Sequence, residues 1–506
     1  MTSINVSRSS FKPTNELSIP FLGLANISEN IILGLEGIGT KAIGIPSHVE
    51  GVGSIAKGYA SHAQGINTCA VGQAAHSQGI AITDVPGILT AYDPSITDID
   101  GRTSTVKTEA IGIGSHAANG GTIALGNFSH SSGLLTQSNG DVSFTQGINN
   151  KSIGLSSHAE GILNIAEGIG SHAEGRGTLA SGDYSHAEGI ETVASGEASS
   201  AKGTLSIATA DNACAEGIET EASGDGSHSE GRETVASGNF SHAEGRETVA
   251  SGNFSHAEGR VTVASGNFSH AEGRGTVASG NFSHAEGSGT VATETASHAE
   301  GKDNLSSGSA SHTEGSGTVA SGASSHAEGF RNTTTGDASH SEGRDNIVTG
   351  EYSHVEGRDN SLTGNCSHLG GDNNTSTGNN SFTSGENCES SGRSSFTIGR
   401  DNRCDGDYST VIGQNANDNN FNNSFVFGDG STNTVSSASQ SFNVRANGGV
   451  RFMLGTNNSV QIPISSSLHN NIGTWSYTPT TPSDWGGTVP TTIAQALDII
   501  AANITL

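Results

Sequence analysis

Proline is scarce in this chain, nine residues in 506, and aromatic residues make up only 5%. Apolar residues of all kinds reach 32%, too few to build a thick core of large side chains. Basic residues are also short, 22 Lys and Arg against 50 Asp and Glu, for a net charge of −28. That balance excludes a nucleic-acid partner, which needs clustered Lys and Arg for its phosphates, and it suits a solvated, self-repelling surface. The five cysteines, Cys69, Cys214, Cys366, Cys388 and Cys404, form no CxxC pair and no zinc-ligand spacing. They read as scattered small core-like residues, with interchain disulfides as the less favoured alternative. No apolar run approaches the ~20 residues of a membrane span. Residues 1–21 hold no basic stretch followed by an apolar one, so no secretory signal is expected and release by lysis or deposition on a particle is. No GxSxG elbow, phosphate loop or HExxH motif occurs, and the chain reads as a non-enzyme with no cofactor.

What the chain has is glycine, 72 residues of it, and a repeat. The block GNFSHAEGRETVAS recurs every 14 residues, and histidine marks its register without a slip from His228 to His368. The same frame runs back through Cys214, Ser200 and His186 to His116, and forward through Phe382, Phe396 and Thr410. His48, His62 and His76 repeat with the same period in a shifted phase, and the stretch from Thr83 to Thr108, with Pro86 and Pro94, interrupts them. Glycine has half the period: Gly231, Gly238, Gly245, Gly252 and Gly259 are seven apart. Each unit therefore reads as two short strands closed by glycine corners of positive φ, one coil of a narrow β-solenoid. Alternation puts Ser241 and Ala243 on one side of SHAEG with His242 and Glu244 on the other, and Thr248 with Ala250 on one side of TVASG. The inward positions stay small, apart from Val355, and the Thr248 position is Thr or Asn, able to form hydrogen-bonded ladders. Gly34 to Gly428 holds about 26 such coils. So thin a roll buries little, and association of chains is expected to supply the rest.

SHAEG with its companion TVASG resembles the head repeats of trimeric autotransporter adhesins, whose pattern is SVAIG followed by AxG. Near-family versions stand at Ser395-Phe396-Thr397-Ile398-Gly399, Ser409-Thr410-Val411-Ile412-Gly413 and Ser424-Phe425-Val426-Phe427-Gly428. The resemblance covers Gly34 to Gly428 and implies an all-β fold, a left-handed parallel β-roll of three chains around one axis. No long coiled-coil stalk or C-terminal barrel anchor is recognised beside it. Such repeats also occur in viral tail fibres and in spore or cell-surface proteins, two settings that fit the missing parts better.

The ends differ from the roll. Residues 1–30 are aperiodic and read as a cap or attachment segment. Beyond Gly430 the period stops; Asn447-Gly448-Gly449 signals a hairpin. Trp475 and Trp485 sit in a Pro- and Thr-rich stretch, and Ile493, Leu497, Ile500 and Ile504 form a heptad seam of a short trimerising helix after Pro490. The expected organisation is thus residues 1–30, a first β-roll block at 31–82, an insertion at 83–112, the main β-roll at 113–430, and a C-terminal β-hairpin and helix region at 431–506.

Nineteen of the 20 histidines sit in the repeat, often as His-x-Glu. A residue repeated in every layer describes a packing position, so the histidines read as a structural ladder and not as a metal site. Pairing of His242-type with Glu244-type residues near a threefold axis would make the assembly sensitive to acid. Asp98-x-Asp100-Gly101 resembles a fragment of a calcium loop, but Ile96 and Lys107 stand where that loop needs oxygen ligands. No catalytic, cofactor-binding or metal residue is therefore assigned. The expected function is that of a homotrimeric structural fibre on a virion, spore or cell surface, projecting and attaching. The alternative is an adhesin or receptor-binding tail fibre whose site lies in the insertion or the C-terminal region and takes a host-surface glycan or protein. A polysaccharide-cleaving β-helix would need a carboxylate cluster that the equivalent glutamates do not offer.

Overall fold

The computed structural model describes residues 33–82, 106–453, 459–462, 489–491 and 495. These form an all-β parallel β-solenoid of about 28 turns with 14-residue coils. The chain divides into two units, Met1–Ser288 and Gly289–Leu506.

In the first unit each coil contributes a five-residue strand, such as His242–Arg246, and a two-residue strand, such as Val249–Ala250. Each strand pairs in parallel with its equivalent 14 residues on, His242 with His256 and Val249 with Val263. Most of the cohesion is backbone. His242 N–H donates to Ser255 O, Val249 N–H to Thr262 O and Ser251 N–H to Ala264 O, each at 2.9 Å. Between the strands, Glu247 N–H donates back to Arg232 O at 2.9 Å and Phe254 N–H to Asn239 O at 2.8 Å. The interior follows the alternation: Ser241, Ala243, Thr248 and Ala250 are buried, while His242 and Glu244 are half-buried. The two buried alanine methyls contribute on the order of 1–2 kcal/mol per coil, at about 0.8 kcal/mol per buried carbon.

The corners are built differently from the expectation. Some left-handed positions are glycine, as at Gly226 and Gly275, but many are held by other residues, among them Phe240, Glu247, Phe254 and Val261, with φ between 56° and 58°. Gly245 does have positive φ, 115°, but inside the strand. Gly252 lies outside the left-handed region. It is glycine because a Cβ there would overlap the Gly266 carbonyl of the next coil. The seven-residue glycine period therefore reports close approach between coils as much as turning.

The interruption after Ile82 leaves the stack intact. Ile82 and Val106 form an antiparallel bridge, Cys69–Ala70 pairs with Glu109–Ala110, and His76 lies opposite His116. The coil thus resumes at Glu109, inside the segment expected as an insertion up to residue 112.

In the second unit the Thr column gives way to asparagines that do form a ladder. The backbone N–H groups of Asn346, Asn360 and Asn374 donate to Oδ1 of Asn332, Asn346 and Asn360 at 2.8, 3.0 and 2.9 Å. The threonine version does not: the hydroxyls of Thr248, Thr262 and Thr276 are buried without a hydrogen-bond partner. The small-core rule is also relaxed here. Val348, Val355, Leu362 and Leu369 pack as one fully buried aliphatic cluster, of which only Val355 stood out in the sequence.

The roll continues past Gly428. Phe425–Val435 pairs in parallel with Thr410–Asn417, and Phe442–Val444 pairs in parallel with the start of the Phe425 strand. Here the Ser409 position recurs after 15 residues, at Ser424. Asp418, fully buried, accepts from Gly406 N–H at 2.7 Å, Asp405 N–H at 2.9 Å and Asn420 N–H at 3.2 Å, so a carboxylate serves the amides of the irregular coil. A turn forms at Asn447-Gly448 and an antiparallel pair follows it, but the strand before the turn is not part of that pair. Val450–Met453 pairs antiparallel with Ser459–Ile462, whereas Phe442 continues the coil and stacks on Phe425 at 4.9 Å. The open edge of the last coil offers Phe442 a parallel partner, and the turn at Asn447-Gly448 follows it. The N-terminal segment 1–30, the tryptophans, the Asp98 loop and the seam from Ile493 to Ile504 lie outside the described residues.

Candidate functional site

Two columns of side chains run along the coils. The first is the histidine column. Consecutive rings stack in parallel, His242 on His256 and His256 on His270, each with centroids 4.8 Å apart. Phe144 stacks on His130 where the repeat substitutes it, whereas Phe382 meets His368 edge-on. Strand alternation places each Glu two residues on from its His, on the same side. His242 Nε2 is 4.0 Å from Glu244 Oε2 and His256 Nε2 is 3.9 Å from Glu258 Oε2, so pairing within one chain accompanies the expected pattern. Burial, then the charge of neighbouring imidazoles, holds His242 and His256 below the ordinary imidazole range, against the opposing pull of the glutamates. The Nε2 atoms of both are buried without a hydrogen-bond partner.

In the second unit this column changes. Carboxylates there also reach the histidine of the next coil: Glu328 Oε2 is 3.8 Å from His326 Nε2 of its own coil and its Oε1 is 4.0 Å from His340 Nε2. Glu342 approaches His354 at 4.0 Å, and Glu356 approaches His368 at 3.6 Å. Beside them runs an open groove of about 610 Å³ lined by Glu314, Glu328, Glu342 and Glu356 and their following glycines. Glycine at these positions is required by the strand spacing, and it leaves the carboxylates as the groove's only side chains.

The second column lies at the corners of the first unit. Phe240, Phe254, Phe268 and Phe282 are each more than half exposed, and their rings stack at 5.0–5.2 Å. Asn239, Asn253 and Asn267 run beside them, each backbone N–H donating to Oδ1 of the next asparagine at 3.0 Å. The recurrent Asn-Phe pair signalled this column, but its exposure depends on the left-handed corner.

All five cysteines are free. Cys69, Cys388 and Cys404 are buried, Cys214 is intermediate and Cys366 is exposed. Burial, followed by the Glu216 carboxylate, pushes the Cys214 thiol up to about 11, and burial beside Asp418 raises Cys404 further still, so neither is an activated nucleophile. Among the described residues no helix is long and apolar enough to cross a membrane.

No protein-family model matches this sequence, and no curated protein does either. The likeness to adhesin head repeats therefore stands on the SHAEG and TVASG motifs, beside a parallel 14-residue coil.

Proposed function

We propose that this chain is a non-catalytic structural fibre protein, a homotrimeric left-handed β-roll displayed on the surface of a particle or cell, where it projects and attaches. One observation carries the reading. Coil after coil buries the same few small side chains and presents equivalent surface residues, a construction suited to length and not to a unique reacting centre. Four small buried residues per coil are little core for one chain, and lateral association of three would bury the half-exposed columns. The net charge of −28 suits a solvated surface structure.

The test is native mass by light scattering, for the whole chain and for a version ending at Val444, the last residue paired into the roll. Three chains in both support a shaft that associates through its coils. Three chains in the whole protein only would move trimerisation to the C-terminal region. One chain in both refutes the trimer.

A second reading, a receptor-binding fibre or adhesin, is favoured by the exposed phenylalanine column at Phe240–Phe282, which breaks the uniformity of the surface. It predicts that serine at these four positions abolishes attachment to host cells while leaving the fold intact.

A further inference from the structure

The histidine–glutamate column of the second unit gathers its side chains into repeated ligand groups that packing alone does not require; the first unit holds one such group, His48, Glu50 and His62. Groups of three ligand atoms from successive coils, all within 4.8 Å of one another, recur along it: His298, Glu300 and His312; His312, Glu314 and His326; His326, Glu328 and His340; Glu342, His354 and Glu356. The groove runs along Glu314, Glu328, Glu342 and Glu356, so these carboxylates border open space. The Nε2 atoms of His312, His326, His340 and His354 are buried and make no hydrogen bond. An imidazole nitrogen held out of water without a partner is a group awaiting one.

Charge points the same way. Glu314, Glu328, Glu342 and Glu356 occupy the same position in successive coils, where like charges in neighbouring strands repel. The nearby guanidiniums do not relieve them: Arg344 and Arg331 pair with Asp345, and Arg358 with Asp372 and Asp359. The ionic partners of Glu328, Glu342 and Glu356 are histidines. Those contacts are 3.6–4.0 Å long, beyond hydrogen-bond range, and leave the carboxylates short of a close partner.

We propose that this column binds divalent transition-metal ions of the zinc class, one ion to each three-ligand group. Imidazole nitrogen and carboxylate oxygen are the ligands such ions prefer, and they disfavour calcium and magnesium, which take oxygen alone. Zinc bonds of about 2.0–2.2 Å at tetrahedral angles place ligand atoms about 3.4 Å apart. Spacings of up to 4.8 Å close only if the stacked imidazoles, 4.6–4.7 Å apart, tilt towards each other while the glutamate turns in to meet them. One Nε2 serves one ion, so groups that share His312 or His326 exclude each other. The three that share no residue, those of Glu300, Glu328 and Glu342 with Glu356, fill together, giving three ions in this unit. Each ion ties two successive coils, in the direction in which the solenoid is held by hydrogen bonds.

The experiment uses the whole chain without an affinity tag, stripped with chelator and then dialysed against zinc in the presence of a weak competing chelator. Bound zinc is read by a colorimetric chelator after unfolding, and the ligand set by X-ray absorption. Replacing His326→Asn with Glu328→Gln is expected to lower bound zinc by one ion per chain. The matching pair in the first unit, His256→Asn with Glu258→Gln, removes a His–Glu contact of 3.9 Å that belongs to no three-ligand group, and it should leave zinc unchanged. Thermal unfolding of both stripped variants checks that the coil survives. An absorption shell of mixed imidazole nitrogen and carboxylate oxygen supports the site. Equal zinc in all three proteins, equal loss in both variants, or no zinc in the parent overturns it. The native mass is measured on stripped protein, so failure here leaves the fibre reading standing.

Discussion

Replacing Gly252 by alanine puts the inter-coil spacing to a direct test. A Cβ at this position would overlap the carbonyl oxygen of Gly266, which belongs to the rigid backbone of the next coil and cannot swing aside. Clearing the overlap opens the local spacing by about 1 Å, which stretches a 2.9 Å hydrogen bond towards 4 Å, beyond its useful range. Three bonds lie in the affected corner: Val249 N–H to Thr262 O, Ser251 N–H to Ala264 O and Gly252 N–H to Ala264 O. At roughly 0.5–1.5 kcal/mol each, their loss costs about 2–4 kcal/mol. Gly275 is the control. A Cβ there meets nothing within 4 Å, and its φ of 65° is the angle that Glu247 and Val261 tolerate at equivalent positions. Gly275→Ala should therefore cost no more than about 1 kcal/mol, the penalty of a left-handed alanine, offset by lost unfolded-chain freedom. Chemical denaturation gives the two free energies, and amide hydrogen exchange places the damage: Gly252→Ala should expose the amides of Val249 and Ser251. Equal costs for the two variants, or an unaltered Gly252→Ala protein, would refute the argument that this glycine is kept for inter-coil contact.

Three further outcomes follow from particular residues. Val261 is a β-branched residue held at φ 58° on the surface, so Val261→Asn should stabilise by about 1 kcal/mol, and a loss in denaturation midpoint would contradict the strain. Asn360 donates to Glu356 O at 2.8 Å and Gly371 O at 2.9 Å while accepting from Asn374 N–H; Asn360→Ala should cost about 2–3 kcal/mol by leaving that amide buried and unpaired, and a cost below 0.5 kcal/mol would deny the ladder its role. Acid should destabilise the stripped protein. His242, His256 and His326 are held below the imidazole value they regain on unfolding, so the unfolded chain binds more protons once the pH falls below about 6.5. Stability is full above that value and is lost as the pH falls through the depressed folded range. A melting temperature unchanged from pH 8 to pH 5 would rule this out.

The 14-residue spacing of His228 to His368 was enough to read the coil, and the alternation in SHAEG was enough to place Ser241 and Ala243 inside and His242 with Glu244 outside. Both are consequences of period two in an extended strand, which any repeat of small residues displays. The role of glycine was half legible. Composition tells that Gly252 cannot carry a side chain, but not whether a torsion angle or a neighbour forbids it. The candidate site was legible only as residue types. His326, Glu328 and His340 are two and twelve residues apart, and nothing in that spacing distinguishes them from His256, Glu258 and His270.

The order of the chain thus determined the coil, its period, its inner and outer faces and the positions where only small residues fit, because each depends on neighbours within one repeat or on identical repeats in register. Tertiary structure decided the rest: that Phe240 and Glu247 take the left-handed corners, that Phe442 joins the last coil although a turn signal follows it, that Asp418 serves the amides of the lengthened turn, and that Glu328 lies between two histidines instead of against one. These depend on the separation and offset of backbones about 4.8 Å apart, a distance set by hydrogen bonds between coils and carried by no single residue.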